Sequence, residues 1–335
     1  MRLHVDLREN GYDIILEHGV LHHLNEYIDL NRKVMIITDD LVPDIYTTIV
    51  QKQCLNAHVH IISHGEESKS FAVYEEIQKD LLEHKFSRKD CIIALGGGVV
   101  GDLSGFVAST YMRGIDFIQI PTTTLSQIDS SIGGKVAINL NGVKNVIGAF
   151  YQPKIVFIDP DTLKTLPRRH YINGLIEALK EGLIYDASLF ELFEQGDINN
   201  NLDLIIEKAL RVKKDVVEKD EKEMGLRKIL NFGHTIGHAI ESYYHLSEYL
   251  HGECVAFGMP YFIDNETIKE RVSNIYKHLK LPPFPEIDPA VVFSYLCKDK
   301  KASGNSISVV HVNEIGKSYI KETPLQDIER LLKGK

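Results

Sequence analysis

The spacing of apolar positions changes once along this chain. In the first half, short apolar runs alternate with amphipathic stretches. Lys33–Thr38 (KVMIIT), His58–Ile62, Cys91–Leu95 (CIIAL), Phe117–Ile120 and Ile155–Ile158 predict strands, and Phe71–His84 and Val99–Thr110 carry helical spacing. Such alternation predicts a mostly parallel sheet with helices on both faces, whose ligands collect at the carboxyl ends of the strands. Beyond Pro167 the period lengthens, and Tyr171–Tyr249 reads as nearly continuous helix. Pro260, Pro282, Pro283 and Pro285 divide the next stretch of chain into shorter helices. Ser306–Val312 and Lys317–Lys321 alternate around Glu314-Ile315-Gly316, which predicts a small hairpin. The expected architecture is α/β plus α: a Rossmann-like nucleotide-binding domain over 1–167, then a mainly α-helical metal- and substrate-binding domain over 168–335. The boundary falls near Leu166–His170, and the active site is expected in the cleft between the domains.

Length and composition agree with this picture. At 335 residues, two cores are expected rather than one, and 44% apolar with 25% charged residues is ordinary for a globular chain. A net charge of −9 argues against nucleic acid as partner, although local lysines and arginines can still oppose that sign around a small anion. Cys54, Cys91, Cys254 and Cys297 show no CxxC spacing, which fits a reducing compartment and offers no thiolate metal site. Neither a signal-like N-terminus nor a membrane-length apolar run occurs, so a cytoplasmic location away from membranes is expected.

Candidate chemistry falls in two places. Gly96-Gly97-Gly98-Val99-Val100-Gly101-Asp102 follows a strand and opens a helix. Glycines there let a phosphate approach backbone N–H groups at the positive end of the helix dipole. The order is not GxGxxG, and three glycines also suit a plain tight turn. Pro121-Thr122-Thr123-Thr124 and His64–Ser70 bring further polar loops to the same sheet edge. In the second half, His234 and His238 stand four apart, His251 follows, and Glu177 lies on an earlier helix. One carboxylate with two imidazoles is a catalytic zinc shell, but the spacing leaves open which two histidines coordinate.

Cationic side chains also stand in unusual places. Lys213 interrupts the apolar stripe of Leu202–Val217, where a lysine either snorkels outward or meets an anion. Lys180 lies one turn after Glu177. Ser130–Lys135 and Lys144-Asn145 read as small, flexible, cationic segments, and Arg113 and Arg227 are further anchors for an anion.

Eight segments then occur in order: GGGVVGD, YMRG, PTTTLSQIDSSIGGKVAIN, KNVIGAFYQP, NGLIEALKEG, EKEMGLRKILNFGHTIGHAIE, HGECVAFGM and KDKK. In these the chain resembles the 3-dehydroquinate synthase family of sugar-phosphate cyclases, from about residue 30 to the end. The resemblance implies NAD and Zn2+ (or Co2+) as cofactors, with Glu177, His234 and His251 as metal ligands. It implies NAD contacts at Asp39, Glu66, Lys69, Gly97, Gly98, Val99, Asp102, Thr122, Thr123, Leu125, Lys144, Thr162 and Thr165. Asp129, Lys135, Asn145, Lys180, Lys213, Arg227, Asn231, His238 and Lys300 match substrate positions. Of these, His238, Lys180, Lys213, Asp129 and Asn231 are implied to be catalytic. Arg113 matches a residue that reaches a neighbouring subunit's phosphate site, which implies a homodimer.

One departure is visible: relatives often carry asparagine two residues after the acid at Asp39, and here Leu41 stands there. The implied reaction turns a sugar-acid phosphate, 3-deoxy-D-arabino-heptulosonate 7-phosphate, into 3-dehydroquinate and phosphate without net redox change. A metal-dependent polyol-phosphate dehydrogenase shares the glycine loop and histidine-rich helices, and a sister cyclase shares nearly everything. The first predicts net NADH formation, the second a different sugar phosphate.

Overall fold

A computed structural model describes residues 1–244, 248–299 and 305–334. The chain divides into two compact units, Met1–Tyr171 and Ile172–Lys335.

The first unit contains β1 (Arg2–Val5), β2 (Tyr12–Leu16), β3 (Lys33–Asp39), α1 (Asp44–Gln51), β4 (Asn56–Ile62), α2 (Phe71–Glu83), β5 (Cys91–Gly96), α3 (Gly98–Thr110), β6 (Asp116–Pro121), β7 (Lys135–Leu140), β8 (Val143–Phe150) and β9 (Ile155–Ile158). Seven strands form one sheet in the order β1-β2-β9-β6-β5-β3-β4, parallel except for the β1–β2 pair. Central strands of a covered sheet are buried on both faces, which is why β3 and β5 read as unbroken apolar runs. Met35, Ile37, Ile92 and Ala94 pack into one core with α2 and α3. Val34, Ile36, Cys91, Ile93 and Leu95 pack into the other.

From β3 the chain crosses to one side of the sheet, and from β5 to the other. Two connections that diverge leave a crevice at the carboxyl ends of β3 and β5, the usual place for a nucleotide in such folds. Asp39 and the triple glycine end those two strands.

Two features differ from the sequence reading. A strand pair, β1–β2, extends the sheet before the first expected strand. Lys135, Lys144 and Asn145 belong to a regular antiparallel hairpin, β7–β8, rather than to flexible segments. Its turn, Asn141-Gly142, has positive φ at both residues (51° and 76°), the backbone of a two-residue primed turn.

The second unit is mainly helical: α4 (Arg168–Ile184), α5 (Ala187–Gln195), α6 (Leu202–Lys219), α7 (His234–Tyr243), α8 (His251–Gly258), α9 (Glu266–Leu279), α10 (Pro289–Asp299) and α11 (Leu325–Lys333), with the hairpin β10 (Ser306–Glu314) and β11 (Lys317–Pro324) before the last helix. Caps fix several boundaries. Asp186 accepts hydrogen bonds from the N–H groups of Ser188 and Leu189 at the start of α5, and Gly196 ends it in the left-handed conformation. Asn265 caps α9 in the same way. No described helix is long and apolar enough to cross a membrane.

Candidate active site

At the sheet edge of the first unit, α3 begins at Gly98 with Gly97 as its N-cap, a residue with no side chain to cap the first N–H groups. A Cβ on Gly97 would meet Thr123 at 3.1 Å, and one on Gly98 would meet Ser130 at 3.2 Å. The loops are thus packed around missing side chains, and the helix end stays open to an anion. Thr122 donates its N–H to the Gly96 carbonyl at 2.9 Å, tying the threonine loop to the glycine loop.

Lys69 is the hub of this edge. It is 3% exposed, and its Nζ donates to Asp102 Oδ2 at 2.6 Å and to Asn145 Oδ1, with Glu66 Oε1 3.5 Å away. Burial opposes the ammonium charge, but Asp102 and Glu66 outweigh it and raise the lysine above its ordinary value. Burial pushes the Asp102 carboxyl up, and Lys69 offsets this only in part. Asn139 completes the network: its Nδ2 donates to Glu66 Oε1 at 3.0 Å, and its Oδ1 accepts the Asn145 N–H at 2.8 Å. Sequence reasoning missed Asn139, although it lies within SSIGGKVAIN, two positions after Ala137 on the same face of β7.

Other expected residues of this unit have local partners. Asp39 Oδ1 accepts the N–H groups of Leu41 (2.9 Å) and Val42 (3.2 Å), and the Leu41 side chain is exposed. Thr162 accepts from Gln127 Nε2 at 3.0 Å, and Thr165 shares a hydrogen bond with the Tyr46 hydroxyl at 2.9 Å. Val99, Leu125, Asp129 and Lys144 are half-buried, and Lys135 is exposed at the start of β7. Arg113 is exposed and, with Met112, holds a left-handed backbone (φ 67° and 47°).

In the second unit, α7 and α8 meet backbone to backbone. A Cβ on Gly258 would lie 2.0 Å from the Gly233 carbonyl oxygen, and one on Gly237 would lie 2.8 Å from that of Cys254. Gly252 is pressed against α4 in the same way, 2.1 Å from the Asn173 carbonyl oxygen, and donates its N–H to Asn173 Oδ1 at 2.6 Å. These contacts carry the histidines of two helices to the carboxylate of a third. Ring nitrogens of His234, His238 and His251 lie within 4.8 Å of one another.

Glu177 Oε1 sits 3.5 Å from His251 Nε2 and 3.9 Å from His234 Nε2. Its other oxygen accepts a hydrogen bond from Lys180. Glu177 is fully buried, and Oε1 has no hydrogen-bond partner. A buried carboxylate oxygen without a donor is costly unless a cation fills the gap. Burial alone would favour the neutral acid, yet the charges of Lys180 and the two imidazoles hold Glu177 well below the ordinary carboxylate range. Burial keeps His234 neutral, pushing it well below its ordinary value, as a ligand requires. For His251 burial acts the same way, but Glu177 and Glu241 reverse it.

Glu241 Oε2 lies 3.6 Å from His251 Nδ1 and was not foreseen as a site residue. Its signal was present: 234, 238 and 241 follow i, i+4, i+7, one face of a helix.

Lys213 is 6% exposed, so it does not snorkel into solvent. Arg227 is 2% exposed, with Nη1 donating to the Glu221 carbonyl at 2.5 Å, and Asn231 Nδ2 donates to Glu223 Oε1 at 2.5 Å. The expected position Lys300 lies outside the described residues.

Comparison with known proteins decides what this arrangement belongs to. The family model described as 3-dehydroquinate synthase N-terminal matches residues 59–173, and the one described as 3-dehydroquinate synthase C-terminal matches residues 174–302. The chain belongs to the 3-dehydroquinate synthase family. It is 40% identical to the 3-dehydroquinate synthase of Clostridium acetobutylicum, over 99% of each chain. Among solved structures it is similar to 2-deoxy-scyllo-inosose synthase complexed with carbaglucose-6-phosphate, NAD+ and Co2+, with a TM-score of 0.88, 26% identity, and 100% and 99% coverage of the two chains. It is equally similar to a 2-epi-5-epi-valiolone synthase from Streptomyces hygroscopicus with NAD+ and Zn2+ bound, with a TM-score of 0.88, 26% identity and 98% coverage of each chain.

Proposed function

We propose that this chain converts 3-deoxy-D-arabino-heptulosonate 7-phosphate into 3-dehydroquinate and phosphate, a carbon–oxygen lyase reaction of the shikimate pathway, using NAD and a divalent cation. The carrying observation is the partnerless buried oxygen of Glu177 facing two imidazole nitrogens. One carboxylate and two imidazoles, the second giving up its proton as the ion binds, suit Zn2+ or Co2+. The glycine cradle and open end of α3 suit a pyrophosphate.

Glu177, His234 and His251 hold the cation, with Glu241 orienting the His251 ring. Gly97, Gly98, Val99, Thr122, Thr123 and Leu125 form the dinucleotide cradle. Asp39, Glu66, Lys69, Asp102, Lys144, Thr162 and Thr165 bind its remaining polar groups. When bound, NAD supplies a hydride acceptor that later returns the hydride, and the cation supplies Lewis acidity toward substrate hydroxyls.

His238 takes the C5 hydroxyl proton on its imidazole, assisted by Lys180 or Lys213. Asp129, Arg227 and Lys300 orient the sugar acid. Lys135, Asn145, Asn231 and Arg113 hold the phosphate so that its own oxygen receives the C6 proton as it leaves. The working form is a cytoplasmic homodimer in which Arg113 serves the partner's site. Its outward display on strained backbone supports that reading. Two inactive variants test it: Arg113→Ala mixed with Glu177→Gln regains activity only if arginine acts across subunits, since one site per heterodimer is then intact.

The activity is tested by supplying each sugar phosphate with catalytic NAD and Zn2+. Stoichiometric phosphate release without absorbance gain at 340 nm is expected from the heptulosonate. Stoichiometric NADH would instead indicate a dehydrogenase, and turnover of glucose 6-phosphate or sedoheptulose 7-phosphate a sister cyclase.

A further inference from the structure

A second histidine cluster lies in the first unit, at the amino end of edge strand β4. His58 and His60 are two apart on β4, so both face α2. Asp80 and His84 are four apart at the end of α2, so both face β4. Three imidazoles converge on one carboxylate, that of Asp80. His58 Nε2 lies 3.0 Å and His84 Nδ1 2.8 Å from Asp80 Oδ1, and His60 Nδ1 lies 2.6 Å from Oδ2. The rings of His58 and His84 lie in contact, tilted by 32° with centroids 3.6 Å apart.

We propose that His58, Asp80 and His84 form a second divalent transition-metal site, with His60 orienting the carboxylate, which fastens the edge strand to α2. The donor atoms of the three residues lie within 4.8 Å of one another. Ligands about 2.0–2.2 Å from a tetrahedral ion stand about 3.3–3.6 Å apart, so the imidazole–carboxylate separations of 3.0 and 2.8 Å need to open by roughly 0.3–0.8 Å. Both Asp80 oxygens face imidazole nitrogens, Oδ1 toward His58 and His84 and Oδ2 toward His60, so the carboxylate is already oriented as a ligand. His60 supplies the outer-shell bond that metal-ligating carboxylates require. His58 and His84 are partly exposed, so an ion reaches the site and a solvent molecule completes its shell. On binding, protons shared between the imidazoles and Asp80 leave to solvent.

A third group, His18 with Asp159 and Asp161, shows the contrast. Asp159 already accepts the N–H groups of Gly19, Leu21 and Asp161, and Asp161 is paired with Lys164. Its carboxylates are committed to the backbone and to a lysine.

The test uses the full-length chain with His234→Ala and His251→Ala, which removes the ligands proposed for the first site. Co2+ titration followed by metal analysis is expected to show one bound equivalent, lost when either His58→Gln or His84→Gln is added. In wild-type protein labelled with 13C-histidine, Co2+ is expected to broaden the ring signals of His58 and His84, a readout that needs no variant at β4. No bound equivalent, or one that survives both glutamine substitutions without broadening, overturns the proposal. Because turnover is not measured, this result is independent of the activity assigned above.

Discussion

The nucleotide loops of the first unit and the histidine cluster of the second are built on opposite principles. The loops depend on the ends of regular elements. A parallel sheet delivers strand termini to one edge, and glycine leaves the α3 terminus bare, so local sequence specifies the chemistry. The histidine cluster depends on three helices pressed together through glycines, and its donors are far apart in the chain. The first kind of site tolerates small errors in packing, because backbone N–H groups supply the binding. The second kind does not, because each ligand's position is set by a helix–helix contact.

The largest effect is expected from Glu177→Gln. The amide removes both the anionic ligand and the charge that accepts from Lys180, and breaking such a buried pair costs about 3–5 kcal/mol. Loss of Lewis-acid stabilisation worth several kcal/mol lowers kcat by more than about a thousandfold. Metal analysis is expected to show an empty first site, while NAD binding measured by calorimetry stays near wild type. Nucleotide affinity that fell with the metal would break the contrast.

Gly258→Ala and Gly97→Ala probe the packing difference directly. At Gly258 the new methyl meets a carbonyl oxygen at 2.0 Å, so α7 and α8 must separate, at a cost of about 1–3 kcal/mol and with His251 displaced from His234. At Gly97 the nearest atom is a threonine methyl at 3.1 Å, which can move. The first variant is expected to lose metal affinity and melt several degrees lower, and the second to lose mainly NAD affinity. Equal melting temperatures for both would show that the helix contact is not critical.

How much could be read from sequence obeys the same division. The strands β3, β5 and β9 announce themselves because strands buried on both faces are apolar nearly throughout, β4 and β6 by shorter apolar runs, and the glycine loop because it follows β5 directly. The β7–β8 hairpin carried a signal too, Asn141-Gly142, but the glycines and lysine before it suggested a loop. The strands β1 and β2 are short and mix charges with apolar residues. At the histidine cluster, spacing showed that a metal site was available and left the ligands ambiguous. The direction of Glu177 toward His234 and His251 is a tertiary fact, and the family motifs alone pointed to that set beforehand. Lys213 shows the limit of periodicity, which places a lysine on an apolar face but says nothing of what covers it.

Glu241→Gln is expected to have a smaller effect. It keeps the side chain's shape and removes the charge beside His251 Nδ1, 3.6 Å away. Outer-shell changes of this kind cost about 10–100-fold in metal affinity. Isothermal titration of metal-free protein with Zn2+ checks this, and an unchanged Kd would remove Glu241 from the site.

Proton release gives a finer measure. In metal-free protein, burial opposes the charge on His251, but Glu177 and Glu241 raise its pKa to about 10. A raised folded value means that its charge stabilises the metal-free fold fully below the unfolded value near 6.5, and that this contribution fades as pH rises toward 10. Metal binding requires the neutral ring, so affinity moves the other way. It rises by about tenfold per pH unit between 7 and 9, with one proton released per ion. His234 is already neutral and adds nothing to that slope. Zn2+ titrations in buffers of differing ionisation enthalpy count the protons, and a count of zero would show that His251 is neutral before the metal arrives.

The smallest effect concerns Leu41. Its exposed side chain stands beside Asp39, whose Oδ1 already accepts two backbone N–H groups, so one carboxylate oxygen remains for a ribose hydroxyl. Leu41→Asn adds an amide at that rim without disturbing packing, because the leucine side chain is two-thirds solvent-exposed. A net gain typical of one hydrogen bond, about 0.5–1.5 kcal/mol, tightens NAD roughly two- to tenfold. Metal affinity and melting temperature of the metal-free protein should stay constant, because nothing at the three-helix contact changes. If Leu41→Asn leaves NAD affinity where it was, Asp39 and the backbone alone define that end of the nucleotide site. The rule that local sequence specifies the loops would then extend to the ribose. If it shifts metal binding instead, the two sites are coupled more tightly than their separate construction implies.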